Sequence, residues 1–335
     1  MQWYYLVLIA LGVVVVFSTV TTFASALVIN KAIFGSRQDK NPFFRYFTPE
    51  DYALKSEQIN VEYSGISLYS MLYTARPIEE CEKVVIFVHG FGAGSSSYMT
   101  EIAHFCKQGF AVVATDAFGC NNSAGKNVKS FYAGAEAVIA TFIAVKKHEL
   151  LKDKKVILVG HSWGAYSALA ATQKIGVDGV VAMSGFNAPA QCVCDSLRAM
   201  GGLVKAYSYF VHFWLWLINL FKMGAKGNTK AVKALKKSGV KALLIQGEKD
   251  RAVPLKHSAA VKAKGDNVTK LILSEKRHNP YNTDAAEEKL LELSKKHNFA
   301  SEEEAKAYFA EFDWVQAVEE DEKVLKTVDD FIASC

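Results

Sequence analysis

The distribution of apolar and polar positions divides this chain into three unlike parts. From Trp3 to Ile29 no charged residue occurs, and the segment contains VLIALGVVVVF. It exceeds the ~20 residues that cross a hydrocarbon core, so a membrane-spanning helix is expected over residues 3–29. Farther along, INVEYS and ISLYSMLYT alternate apolar and polar residues around Ser64-Gly65, which predicts a β-hairpin. Short continuous apolar runs follow: VVIFVHG from Val84, FAVVATD from Phe110, KVILVGH from Lys155, GVVAMSG from Gly179, KALLIQG from Lys241 and KLILSE from Lys270. Strands buried on both faces of a parallel sheet have this composition. Helix-like segments at 97–107, 132–148 and 165–175 separate the first four, so the alternation predicts an α/β fold: a mostly parallel central sheet with helices on both faces.

Two intervals break the rhythm. Residues 186–239 are too long for one crossover and contain VHFWLWLINLF, 211–221. With its uncharged flank the stretch covers 206–221, short of the ~20 residues of a span. On a helix, Ser208, His212, Leu215, Asn219, Lys222 and Lys226 recur every three or four residues as a narrow stripe. Phe210, Phe213, Trp214, Leu217, Leu220 and Phe221 fill the wide opposite face. The second interval follows His278, where helices are expected at 284–296, at 301–312 behind a Ser301/Glu304 capping box, and at 321–334. The resulting division is an anchor at 3–29, a juxtamembrane connector at 30–55 and a core at 56–185. A helical insertion at 186–239 and a second core part at 240–335 complete it, the latter with a helical addition at about 281–318.

Half of the 335 residues are apolar, enough for a sizeable core. The net charge of +5 is spread thinly, with no basic run interleaved with aromatics, so nucleic acid is not an expected partner. Lys31, Arg37, Lys40 and Arg45 follow the apolar segment and no basic residue precedes it, which places the body in the cytoplasm. The competing reading is a signal peptide cleaved near Ala24-Ser25-Ala26, although MQWYY lacks a basic n-region. Six irregularly spaced cysteines do not form a disulfide scaffold. Cys192-x-Cys194 has no second ligand pair at a metal-site spacing, so neither metal nor organic cofactor is expected.

Gly160-His161-Ser162-Trp163-Gly164 fits G-x-S-x-G between the strand run VILV and the helical run AYSALAATQKI. A nucleophile elbow needs that strand, sharp turn and helix; the plain alternative is a helix start capped by Ser162. A serine hydroxyl also needs a base and an oxyanion site. His89-Gly90-Phe91-Gly92 follows the first central strand, and the amides of Phe91 and Trp163 are the candidate donors; an ordinary strand-to-helix turn would favour the same glycines. Asp250 in GEKDRAVP and His278 in RHNP lie just past strand ends, where ligand crevices form in parallel sheets. Asp116 is a rival acid, but it precedes the serine. His161 is expected to lie under the elbow, and His104, His148, His257 and His297 to be solvated.

With HGFG, GHSWG, GEKDRAVP and RHNP in this order, the sequence resembles the α/β-hydrolase-fold serine hydrolases, and within them the monoacylglycerol-lipase and lysophospholipase-like branch. The likeness covers about residues 56–280 and the last helix; the helical addition departs from it. It implies a Ser162–His278–Asp250 triad, with hydrolysis of carboxylic esters through an acyl-serine. It also implies a cap formed by the insertion, so Phe213, Trp214 and Leu217 would line an acyl pocket or lie against the bilayer. Plain packing of the cap on the core is the alternative. The same motifs occur in peptidases, thioesterases and acyltransferases, and a non-catalytic binding protein can share the fold.

Overall fold

The computed structural model describes residues 2–296 and 299–335. Its ten strands are β1 (Lys55–Gln58), β2 (Val61–Tyr63), β3 (Ile66–Leu68), β4 (Ser70–Thr74), β5 (Lys83–Val88), β6 (Ala111–Thr115), β7 (Lys155–His161), β8 (Gly179–Met183), β9 (Ala242–Gly247) and β10 (Val268–Leu273). The twelve helices are α1 (Trp3–Phe34), α2 (Met99–Lys107), α3 (Tyr132–Lys147), α4 (Trp163–Ala171), α5 (Pro189–Ala199), α6 (Gly202–Met223), α7 (Ala231–Ser238), α8 (Ala259–Lys262), α9 (Asp284–Lys295), α10 (Glu302–Glu311), α11 (Trp314–Ala317) and α12 (Glu322–Ser334).

All six apolar runs are strands of one sheet, ordered β1-β4-β6-β5-β7-β8-β9-β10. From β6 to β10 the neighbours are parallel, while β1 and β4 add an antiparallel edge. Strand β5 shows why such runs carry no polar face. Val84, Ile86 and Val88 pack toward α3 and α4, whereas Val85 and Phe87 pack toward α2 and α12. Strands β2 and β3 pair antiparallel across Ser64 and Gly65, whose φ values of 50° and 75° suit a tight hairpin turn.

Helix α1 continues beyond Ile29 to Phe34, through the first residues assigned to a connector. It is long and apolar enough to cross a membrane, with a mean hydropathy of 2.5 over an 18-residue window. Its buried residues, Thr22, Ala26, Asn30 and Phe34, recur every fourth position and form a seam against α6. There the Trp214 indole Nε1–H donates to Thr22 Oγ1 at 3.1 Å, and Lys222 Nζ donates to Asn30 Oδ1 at 3.0 Å. Helix α7 buries Ala231 and Leu235 in the core beside α4, so the inserted layer consists of α5 and α6.

Of the placements expected for the apolar face of α6, the structure has the outward one. The narrow stripe is the inward one: Ser208, Val211, Leu215 and Asn219 are buried, and His212 Nδ1 lies 3.1 Å from Arg198 Nη2. Leu203, Phe210, Phe213 and Phe221 on the outer side are exposed. The tail contains the three expected helices and a further short one, α11. Ser301 caps α10 through the Glu304 amide, while the Glu304 carboxylate turns back to the Ala300 amide at 2.7 Å.

Candidate active site

Ser162 sits between β7 and α4 with φ 56° and ψ −115°, the strained turn foreseen from the motif. Its glycines are steric requirements. A Cβ at Gly160 would come within 2.5 Å of the Gly164 carbonyl, and one at Gly164 would collide with the Val88 carbonyl oxygen on β5. The Ser162 amide is fixed to the Met183 carbonyl of β8 at 2.8 Å.

The loops after β9 and β10 bring in the other two side chains. They are joined by backbone bonds from Glu248 N to Leu273 O, 2.9 Å, and from Lys249 N to Lys276 O, 3.0 Å. Any side chain at Gly247 would strike the carbonyls of Lys276 and Arg277. So held, His278 Nε2 lies 3.0 Å from Ser162 Oγ and His278 Nδ1 lies 2.9 Å from Asp250 Oδ2. The Asp250 carboxylate is buried and saturated. Its Oδ1 accepts from the amides of Ala252 and Val253, and its Oδ2 accepts from Gln246 Nε2 as well as His278. Burial opposes its ionisation, but the hydrogen bonds from His278, the Val253 amide and Gln246 hold the carboxyl below its ordinary range.

Asp116 takes no part in this chain. Its carboxylate accepts from Ser95 N, Ser95 Oγ and Asn122 N, and so ties together the loops after β5 and β6. His161 does more than fill space beneath the elbow. The Gly90 amide donates to the Tyr98 hydroxyl at 3.0 Å, Tyr98 in turn donates to His161 Nδ1 at 2.9 Å, and His161 Nε2–H donates to the His278 carbonyl at 2.9 Å. Burial first, then the neighbouring His278, push His161 down to about 3, so its ring stays neutral. Tyr98 and Gln246 are the site residues that the sequence reading missed. Tyr98 carries no motif; Gln246 did offer a signal, as a polar residue within an otherwise apolar buried strand.

The amides of Phe91 and Trp163, the candidate oxyanion donors, have no acceptor among the described residues. The Phe91 ring packs at 5.4 Å from Trp163, 5.5 Å from Phe131 and 6.0 Å from Phe34, so α1 reaches this loop.

The three proposed substrate residues lie elsewhere. Trp214 faces α1, 5.0 Å from Phe23; Phe213 stacks edge-on at 5.1 Å on Trp214 and is exposed, and Leu217 is half-buried on the same helix. An acyl-lining role for Trp214 does not fit this placement, because α1 covers its ring, while Phe213 is open to the surroundings. Nor are all the remaining histidines solvated. His104 Nε2 lies 3.0 Å from Asp329 and His257 Nδ1 lies 2.8 Å from Asp195, both half-buried, whereas His148 stands 3.8 Å from Glu57. His297 lies outside the described residues. No cluster of three or more metal-ligating side chains occurs among the described residues.

The chain is 24% identical over 173 residues to a proline iminopeptidase of Saccharolobus solfataricus, and 32% identical over 88 residues to Protein ABHD8 of Mus musculus. These alignments take in 50% and 25% of the chain, and 53% and 19% of those proteins, so the chain spans about half the length of the first. Among solved structures, the fold is similar to an esterase of Pyrococcus furiosus, Pf2001, at TM-score 0.57 and 16% identity, covering 78% of this chain and 97% of that one. It is also similar to an acylaminoacyl peptidase of Pyrococcus horikoshii, at TM-score 0.52 and 14% identity, covering 68% of this chain and 38% of that one. Residues 85–288, which contain Ser162, Asp250 and His278, match the alpha/beta hydrolase family, and the chain belongs to that family.

Proposed function

We propose that the protein is a membrane-anchored serine hydrolase that cleaves carboxylic esters with lipophilic acyl groups. The observation that carries this reading is the unbroken chain from Ser162 Oγ through His278 to a saturated Asp250 carboxylate. His278 Nε2 takes the hydroxyl proton as Ser162 Oγ attacks the acyl carbon, and Asp250 holds the imidazole tautomer and stabilises the imidazolium. The oxyanion is met by the amides of Phe91 and Trp163, each contributing ~3 kcal/mol in the transition state. His278 then returns the proton to the leaving alkoxide, and water releases the acyl group from Ser162 by the reverse sequence.

Anchoring rests on length and exposure. Residues Trp3 to Val20 are exposed on every side, and at ~1.5 Å per residue they span roughly 27 Å, close to the ~30 Å of a hydrocarbon core. The basic residues that follow the helix support a cytoplasmic side for the catalytic body. The bare outer face of α6, clamped to α1 just beyond that length, then meets the headgroup region.

Labelling with a fluorophosphonate probe tests the reading. The wild-type protein is expected to react at Ser162, and Ser162→Ala to remain unlabelled; a native wild-type protein that does not react would overturn it. The peptidase relatives favour one second reading, cleavage of aminoacyl amides. A panel of monoacylglycerol, lysophospholipid, p-nitrophenyl esters and aminoacyl amides separates the two.

A further inference from the structure

A cavity of about 730 Å³ opens beside the oxyanion loop, within the ~300–1,000 Å³ range of small-molecule pockets. Its walls come from three parts of the chain: Gly92 and Ala93 directly after Phe91, Phe43 and Phe44 from the segment after α1, and Leu293 and Trp314 from the helical addition. We propose that this cavity, and not the α5–α6 layer, receives the acyl chain of the substrate; the assignment rests on the hydrolase reading above.

Position is the first argument. An acyl carbon attacked by Ser162 Oγ, with its oxygen on the Phe91 amide, keeps two further substituents, the acyl chain and the leaving alkoxide, and the loop that follows Phe91 flanks the path we assign to the acyl chain. Gly92 is the next residue, with φ +77°, and a Cβ built there would meet nothing nearer than Gln38 Oε1 at 3.9 Å. Gly92 lines the cavity, so its wall begins at the residue adjoining the candidate oxyanion donor.

Wall chemistry is the second. Phe44 lies 5.2 Å from Trp314 and Phe43 lies 5.9 Å from Phe309, so the rings are held in place before any ligand arrives. The charges nearby are engaged at the edge: Arg45 lies over the Phe47 ring at 4.7 Å, and Asp39 pairs with Arg37 at 3.0 Å. What remains to meet a ligand is mainly aromatic and aliphatic surface, which suits a hydrocarbon chain. The third argument is the competing surface, since Trp214, the aromatic ring expected to do this work, is turned onto α1.

The test compares chain-length profiles. For p-nitrophenyl esters from acetyl to dodecanoyl, Leu293→Trp should lower the dodecanoyl-to-acetyl ratio of kcat/KM at least tenfold. A ratio within twofold of wild type overturns the assignment, as does a fall confined to a series of acetates with lengthening alcohols. Wild-type protein that hydrolyses none of these esters and leaves fluorophosphonate unreacted overturns the hydrolase reading instead, so the two failures are distinct. Binding provides a check independent of turnover. Bromododecanoate should quench tryptophan fluorescence saturably in the wild type, and Trp314→Phe should remove that component; saturable quenching of equal depth in the variant contradicts the proposal.

Discussion

Helices α4 and α6 are written in similarly apolar sequence, yet the protein treats them in opposite ways. Every residue of α4, WGAYSALAA, is buried between β7 and the neighbouring helices. Helix α6 hides Ser208, Val211, Leu215 and Asn219 and leaves Leu203 89%, Phe221 80% and Phe210 64% exposed. A helix apolar all round belongs inside, and α4 obeys that rule. In α6 the amphipathic axis points the polar stripe at the protein, because His212 meets the half-buried Arg198 and Lys222 meets Asn30 of α1. A contiguous aromatic face left bare on a folded chain marks a surface that something apolar covers.

The largest effect should come from the α4 side of this comparison. His278→Ala is expected to lower turnover by about 10⁴-fold or more while circular dichroism stays native, because the proposed base for the Ser162 hydroxyl is lost. Near-wild-type rates would dissolve the contrast between a working elbow and a passive surface. On the α6 side, replacing Phe210, Phe213 and Phe221 together with Ser should leave thermal stability nearly unchanged, each site within about 0.5 kcal/mol. In the protein inserted into liposomes through α1, tryptic cleavage at the exposed Lys205 should speed up by about tenfold, since less apolar area holds α6 in the interface. A large fall in stability with unchanged cleavage would mean that the face packs on protein.

The smallest effect concerns the opposite face of the sheet, where the buried Glu101 of α2 and the half-buried Glu320 ahead of α12 lie near each other. Burial, and for Glu320 also the facing Glu101, raises both carboxyls well above the ordinary 4.5. Tyr281 hydrogen-bonds Glu101, and His104, Asp329 and Lys107 are the other ionisable groups near the pair. As pH rises past about 4.5 the unfolded chain releases these protons while the folded chain keeps them, so stability falls. Melting temperature should therefore decline with rising pH, and Glu320→Gln should flatten the decline. An equally steep decline in the variant would assign it to other groups.

The contrast between α4 and α6 also explains what could be read from the residues. Strands β5 to β10 were legible because a strand buried on both faces admits almost nothing but apolar residues. The elbow was legible because Gly160 and Gly164 have no room for a Cβ. Asp250 and His278 followed from strand ends and chain order. The outward turn of α6 was not legible, since its cause is a seam with α1 about 190 positions away in the sequence, as in the Lys222–Asn30 hydrogen bond. Tyr98 was equally hidden: its hydroxyl matters only because Gly90 and His161 converge on it in space. The connector aromatics gave no sign of their role for the same reason, because Phe43 and Phe44 find their partners on α10 and α11.

The last turn of α1 gives that helix a second task. Phe34 is buried 4.9 Å from Phe131 and 6.0 Å from Phe91, in the ring cluster that supports the oxyanion loop and touches Trp163. Truncation to obtain a more soluble enzyme must therefore stop short of Thr22. A cut that removes the whole helix also strips a wedge from beneath the candidate oxyanion loop, so loss of activity in such a fragment would report on Phe34 as much as on the proposed anchor.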